Sequence, residues 1–269
     1  MNQAEKADLF HLLHQGPGVL VLPNAWDVAS AAVVAEAGAK AVATSSAAVA
    51  WAHGQPDGDV LSVDTTCALA AAITAAIDLP LSVDFEGGFT DDLDMLASNI
   101  THLIQAGAVG INFEDGARDP DLHAAKIACV RKAAELAGVR LFINARTDVY
   151  LKQLAAGEAA EAEAIRRGRL YLSAGADGVF VPGAAEAGLI GRLAAAIPAP
   201  LNILAWPGAP EAATLAGLGA RRLSAGTATF NAAYAALARA ASGFLETGSS
   251  TDLLAQAKGA PALQKRFST

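Results

Sequence analysis

The chain has 269 residues, 53% hydrophobic and 17% charged, enough to bury a large core in one big domain or two small ones. Its formal charge of −8 argues against a nucleic-acid partner, which calls for a basic patch. No strongly apolar run reaches the roughly 18 residues of a membrane span, and the two cysteines, Cys67 and Cys129, sit in Ala-rich helical patterns; a cytoplasmic protein without a disulfide framework is expected.

The first segment, MNQAEKADLFHLLHQG, reads as an amphipathic helix and lacks the basic start of a signal peptide. After it one phrase recurs: EAGAKAVATSS (36–46), QAGAVGINFED (105–115), SAGADGVFVPG (173–183) and GLGARRLSAG (217–226). In each, a helical pattern stops at Gly and a short apolar run begins. Gly just past a helix is the usual left-handed cap, and a continuous apolar run fits a strand buried on both faces. Strands are expected at 19–23, 40–44, 81–85, 109–114, 141–145, 178–182, 201–204 and 222–224, with helices between them.

That alternation predicts a parallel α/β fold, and eight units predict a (β/α)8 TIM barrel. A doubly wound open sheet is the competing architecture, but neither G-x-G-x-x-G nor G-x-x-x-x-G-K-[ST] occurs. Beyond the eighth unit, ASGFLETGSS reads as a hinge, and 249–265 as an extra helical pattern broken around Gly259, Ala260 and Pro261. The expected organisation is a barrel over 1–242 and a C-terminal helical extension over 243–269, able to cap the barrel or pack on another subunit.

In such barrels the chemistry sits where strands end. Those positions supply Asn24 and Asp27, Ser45 and Ser46, Asp84 and Glu86, then Asn112, Glu114 and Asp115. They are followed by Asn144, Arg146 and Asp148, and by Pro182, Gly183, Asn202, Trp206 and Ser224. Asp84, Glu86 and Glu114, brought together, repel one another, so either one keeps a proton or a cation sits among them. An all-oxygen set suits Mg2+, or Mn2+, rather than zinc. Acids are also favoured at helix N-termini, so Asp84 and Glu114 can instead cap the following helices. Arg146 is the natural fork for a carboxylate or phosphate, unless it is spent on Asp148 or Glu114. Ser45 and Ser46 offer hydroxyls and backbone N–H groups to a carboxylate.

The remaining polar clusters read as structure. IRRGR (165–169) fits a solvated helix face and ARR (220–222) a strand start; His102 and His123 fit helix surfaces, and only His53 lies near a strand end.

With these residues in place the chain resembles the isocitrate lyase/phosphoenolpyruvate mutase superfamily. The likeness runs from LPNAWDVASAAVVAEAGAKAVATSSAA through HGQPDGD, VDFEGGF, INFEDG, NARTDVY and GADGVFVPG to PLNILAWPG. The resemblance implies a Mg2+-binding (β/α)8 barrel that makes or breaks C–C or P–C bonds in a small anionic 2-oxo or 2-hydroxy acid. It places Asp84 at the metal, and Glu86, Glu114 and Asp57 around its water shell. It places Ser45 and Ser46 at the substrate carboxylate and Arg146 over the oxo group; Asn202 and Trp206, as strand-end residues, are expected to join them at the substrate. It also implies a homo-oligomer, dimer or tetramer, that exchanges its C-terminal helix.

Two departures narrow the expectation. The K-K-C-G-H loop of the lyases is missing from DGARDPDLHAAKIACV, where Cys129 falls inside a helix, and VPG at 181–183 replaces a family glutamate. A lyase acting through an enolate on a small 2-oxo or 2-hydroxy di- or tricarboxylate is expected, with Arg146, Glu114 and Asp57 as its catalytic groups. Phosphonopyruvate-like P–C chemistry, or 2-oxo acid binding without turnover, are the alternatives.

Overall fold

A computed structural model describes residues 1–268. Nine parallel strands form one sheet: β1 (Leu20–Leu22), β2 (Asn24–Ala25), β3 (Val42–Thr44), β4 (Leu81–Asp84), β5 (Gly110–Glu114), β6 (Phe142–Arg146), β7 (Gly178–Phe180), β8 (Leu201–Leu204) and β9 (Ala220–Ser224). Eight strands are anticipated; the ninth arises because Pro23 divides the first. Proline has no N–H to give a ladder. The half before it pairs with β9 (Leu20 beside Arg222), and the half after it with β3 (Asn24 beside Ala43). The split strand therefore closes the sheet into a (β/α)8-type barrel.

Helices α1 (Gln3–Leu13), α2 (Val28–Glu36), α3 (Ser46–Ala52), α4 (Val63–Ala76), α5 (Leu93–Gln105), α6 (Pro120–Leu136), α7 (Gly157–Ser173), α8 (Ala187–Ala196) and α9 (Ala212–Gly217) intervene in chain order. The recurring phrase marks their ends: Gly38, Gly107, Gly175 and Gly219 have φ of 95°, 93°, 110° and 97°, a conformation that side chains with a Cβ rarely adopt. Among the described residues no helix is long and apolar enough to cross a membrane.

α1 closes the amino end of the barrel. Its Phe10 meets Phe142 edge-on at 5.5 Å, and His14 stacks on Phe142 at 4.1 Å. A Cβ on Gly110 would lie 2.6 Å from the Phe10 ring, so glycine there lets the plug seat. Above it the barrel interior is polar: Asn144 Nδ2 and Arg222 Nη2 both donate to Asn112 Oδ1, at 2.8 and 3.1 Å. ARR starts a strand as expected, with Arg222 wholly buried inside the barrel; in IRRGR, Arg166 and Arg169 are exposed, but Arg167 is 8% exposed and departs from a solvated helix face. His123 likewise is buried, packed edge-on to Tyr171 and against Phe113, instead of lying on a helix surface.

The C-terminal segment also differs from its expected division. Helix α10 (Ala228–Thr247) runs unbroken through the 242/243 boundary; the turn falls at Gly248, left-handed at φ 63°, before α11 (Ser250–Gln256) and α12 (Leu263–Arg266). A single helical glycine such as Gly243 costs only about 1 kcal/mol relative to alanine, too little to end a helix among good formers. The break around Gly259 to Pro261 is where the sequence places it.

Candidate active site

With α1 across the amino end, the open end of the barrel is the one where β-strands finish. Asp84 terminates β4, and its amide donates to Thr44 Oγ1 at 2.9 Å. Its Oδ2 accepts from the backbone N–H and hydroxyl of Ser46, at 2.9 and 2.8 Å. Its Oδ1 is buried and accepts no hydrogen bond. Ser46 thus orients Asp84 and leaves one carboxylate oxygen for another partner.

Glu86 follows in a left-handed turn at φ 48°, and its Oε2 accepts from the Asp59 amide. Glu114 ends β5 and meets Arg146 Nη1 at 2.5 Å. Arg146 ends β6, and its Nε and Nη2 donate to the two oxygens of Asp148 at 2.6 and 3.1 Å. Guanidinium has five N–H donors, so two remain for a ligand.

Burial dominates the titration of these acids. It raises Asp84 above the usual carboxylate range despite Arg146 and Ser46. It pushes Glu86 up to about 7 against the Asp59 N–H, and Glu114 up to about 8 against Arg146, with Asp84 adding repulsion to both. A cation among them would favour the charged forms. Among the described residues no three His, Cys, Asp or Glu side chains converge closely enough to form a direct cage. An all-oxygen donor set with an unpartnered oxygen on Asp84 is chemically suited to a hard divalent ion, which Asp84 would hold.

Ser45, Ser46, Asp57, Asp84, Asn112, Arg146 and Trp206 all line one cavity of about 170 Å3, together with Phe180, Pro182 and Leu204. Glu114 is one ion pair away from it, and Glu86 lies in the adjoining crevice with Thr44 and Leu61. Asn202 does not reach the cavity: it is wholly buried in the barrel below the mouth, where its Oδ1 accepts from Ser224 Oγ at 3.3 Å. His53 stays outside too, its Nδ1 against the Val49 carbonyl at 2.9 Å at the end of α3.

Two groups of supporting residues escape sequence reasoning. Arg118 bridges Asp59 and Asp91, both at 3.0 Å, and Lys126 adds a 2.7 Å bond to Asp91. The guanidinium lies over Gly87, where a Cβ would be 2.4 Å from Nη1. This lattice pins the Asp57–Asp59 loop against the end of β4. Behind Arg146, Asp115 is fully buried and accepts from Arg167 at 2.9 Å, Tyr171 at 2.6 Å and the Asp148 amide at 2.9 Å. The signal for this second group is in the sequence: Ala160, Ala164, Arg167, Gly168 and Tyr171 form one buried face of α7 at helical spacing.

A parallel barrel with oriented carboxylates and an arginine around one small cavity at its carboxyl end defines an α/β-barrel enzyme. The chain belongs to the phosphoenolpyruvate phosphomutase family, whose model matches residues 10–245, and so to the isocitrate lyase/PEP mutase superfamily of lyases and mutases. It is 39% identical over 237 residues to an uncharacterised protein of Mycobacterium tuberculosis, covering 86% of this chain and 87% of that one. A 2-methylisocitrate lyase of Bacillus subtilis is 30% identical over 209 residues, 74% of this chain and 67% of the lyase. An oxaloacetate decarboxylase of Paraburkholderia xenovorans is 31% identical over 193 residues, 68% and 63% of the two chains. A crystal structure from Burkholderia cenocepacia J2315, provisionally assigned as a phosphonomutase, superposes with a TM-score of 0.84 at 42% identity, covering 87% of this chain and 98% of its own.

Proposed function

We propose that the protein is a divalent-cation-dependent carbon–carbon lyase acting on a small 2-oxo or 2-hydroxy diacid through an enolate. The observation that carries this is the pairing, across one small cavity, of a buried carboxylate oxygen with no partner on Asp84 and a guanidinium with two free N–H groups on Arg146. The cavity is small, about 170 Å3, which suits a small acid better than a large ligand.

The chain's own groups divide the work. Ser46 fixes Asp84, and Asp148 with Glu114 fixes Arg146 so that its free N–H groups point at developing negative charge on a substrate oxygen. Such preorganised donors are worth about 100- to 1,000-fold in rate. Mg2+ or Mn2+ held at Asp84 would supply Lewis-acid polarisation of the carboxylate and 2-oxo oxygens. With no lyase loop to bring an acid, the enolate carbon takes its proton from water. That favours decarboxylation or retro-aldol cleavage of a diacid such as oxaloacetate or a substituted malate over isocitrate cleavage, and the similarity to an oxaloacetate decarboxylase agrees with it.

The test is a panel of 2-oxo and 2-hydroxy diacids with Mg2+ and an EDTA control, beside Asp84→Ala. Asp84→Ala should lose cation binding by calorimetry and turnover together; unchanged cation affinity rejects the assignment. P–C chemistry is the second reading, supported by the phosphonomutase relative. Conversion of phosphonopyruvate followed by 31P NMR would reveal it, and tight Mg2+-dependent binding of 2-oxo acids without turnover over hours would mark a binding protein.

A further inference from the structure

The cavity has two unlike halves, and the order of strands around the barrel separates them. β3 to β6 supply Ser45, Ser46, Asp84, Asn112 and Arg146. The segment after β6, together with the ends of β7 and β8, supplies Leu151, Phe180, Pro182, Leu204 and Trp206. Arg146 is the one cationic side chain among the described residues that line the cavity, and Phe180 marks the border, its ring 6.0 Å from the guanidinium carbon.

On the far side of that border the polar groups are neutral: Thr227 offers a hydroxyl, while Ser224 and Asn24 are already engaged. Ser224 Oγ donates to Asn202 Oδ1 at 3.3 Å; Asn24 donates to the Thr44 carbonyl at 2.6 Å and accepts from the Gly226 amide at 2.8 Å. A second carboxylate reaching this half meets hydrocarbon, indole and the Thr227 hydroxyl, with no cation to pair with it.

We infer that the wall of Pro182, Leu204 and Trp206 seats the group that leaves as carbon dioxide, which makes the enzyme a decarboxylase of 2-oxo diacids and these residues its determinants of bond choice. The inference rests on the charged half holding the 2-oxo acid head, as proposed above. A carboxylate beside apolar side chains loses hydration, and it sheds that cost on becoming uncharged carbon dioxide. A salt bridge would act in the opposite sense by holding the charge in place. In the step itself the C3–C4 bond breaks and its electron pair forms the C2–C3 double bond. The C2 oxygen takes the negative charge, facing Arg146. C3 then takes a proton from water as the oxygen returns to a carbonyl, so a diacid and one proton become a 2-oxo monoacid and carbon dioxide.

The wall makes a prediction about binding that does not depend on turnover. Calorimetry of the Mg2+-loaded protein with lactate and malate compares one head group with and without a second carboxylate. The wild type should bind malate no more tightly than lactate. Leu204→Arg should tighten malate about tenfold or more relative to lactate, the effect of one charge-assisted hydrogen bond, and should slow oxaloacetate decarboxylation. Trp206→Arg, at a side chain 44% exposed that accommodates charge without burial, repeats the test if the first variant folds poorly. A wild-type preference for malate of tenfold or more, or faster decarboxylation in either arginine variant, overturns the assignment. If wild type binds neither acid and turns over no 2-oxo acid, the underlying function fails with it. Normal lactate binding with strong malate preference instead rejects the wall alone.

Discussion

Asp115 has no exposure to solvent, and its side-chain partners build the layer behind Arg146. Arg167 and Tyr171 hold its Oδ2, while its Oδ1 takes the Asp148 amide and so fixes the carboxylate that grips Arg146. Asp115→Asn removes the fully buried one of Arg167's two carboxylate partners and leaves Glu163, at 2.6 Å, as the other. Breaking a buried pair from one side costs about 3–5 kcal/mol, whereas Tyr171→Phe, which deletes a single hydrogen bond, costs about 1–3 kcal/mol. Urea unfolding should show that order, and both variants should lower kcat more than they raise KM as Arg146 loosens. Equal stabilities would show that Asp115 is held by other means. Asp84, Glu114 and Arg146 are legible in the sequence because a strand end is a place the pattern of apolar runs locates. Helical spacing puts Arg167 and Tyr171 on one face of α7, but that they meet Asp115, about 50 residues away in the chain, depends on how α7 docks. Asn202 misleads for a related reason: an inward strand position looks the same at the mouth as one layer below it.

The docking of α1 is an element's worth of stability tied to one imidazole. His14 stacks on Phe142 and meets the Phe10 ring edge-on, with its Nδ1 at 2.7 Å from the Phe10 carbonyl and its Nε2 without a partner. Burial pushes its pKa down to about 3, and the Arg222 and His11 charges nearby act in the same direction. The folded protein therefore holds this histidine neutral, while the unfolded chain binds a proton near pH 6.5. That stability is full above about pH 6.5 and is lost as pH falls toward 3, at up to about 1.4 kcal/mol per pH unit. His14→Phe keeps the aromatic packing and should flatten this part of the acid limb in unfolding curves measured between pH 4 and 7. A wild-type slope unchanged by the substitution would place the acid lability elsewhere, with His123, also buried and pushed down to about 3, as the next position to replace. At this scale the sequence is a good guide, since glycine caps and apolar runs are local signals. It misses β2, because the apolar run stops at Pro23 and only the pairing of Asn24 and Ala25 with β3 shows that the strand resumes.

At the scale of the molecule, two apolar surfaces stand exposed among the described residues. α10 is 20 residues long and buries only Phe230, which packs on Trp26 and Trp51 at the mouth. Along the rest of the helix Tyr234, Leu237, Phe244 and Leu245 are exposed, Leu245 at 86%. An alanine-rich helix apolar on several sides is ordinarily a buried one. On the barrel, Val21 points outward from β1 and is 47% exposed, beside an open groove lined by Leu12, Leu13, Val19 and Ala39. In a closed barrel that flank belongs to the helix after the last strand, yet α10 packs on β2 and α11 instead. Patches of this kind mark protein contacts, and a helix supplied by an identical copy answers both at once. Exchange of α10 between subunits is therefore expected, giving a dimer or tetramer of the 27.2 kDa chain in light scattering. Leu237→Asp combined with Leu245→Asp should shift the particle toward monomer, because each aspartate must be desolvated to enter an apolar interface. Circular dichroism would show the barrel retained, since both positions lie outside its core. A wild type that is monomeric at micromolar concentration rejects the exchange; an oligomer indifferent to both aspartates would move the interface away from α10.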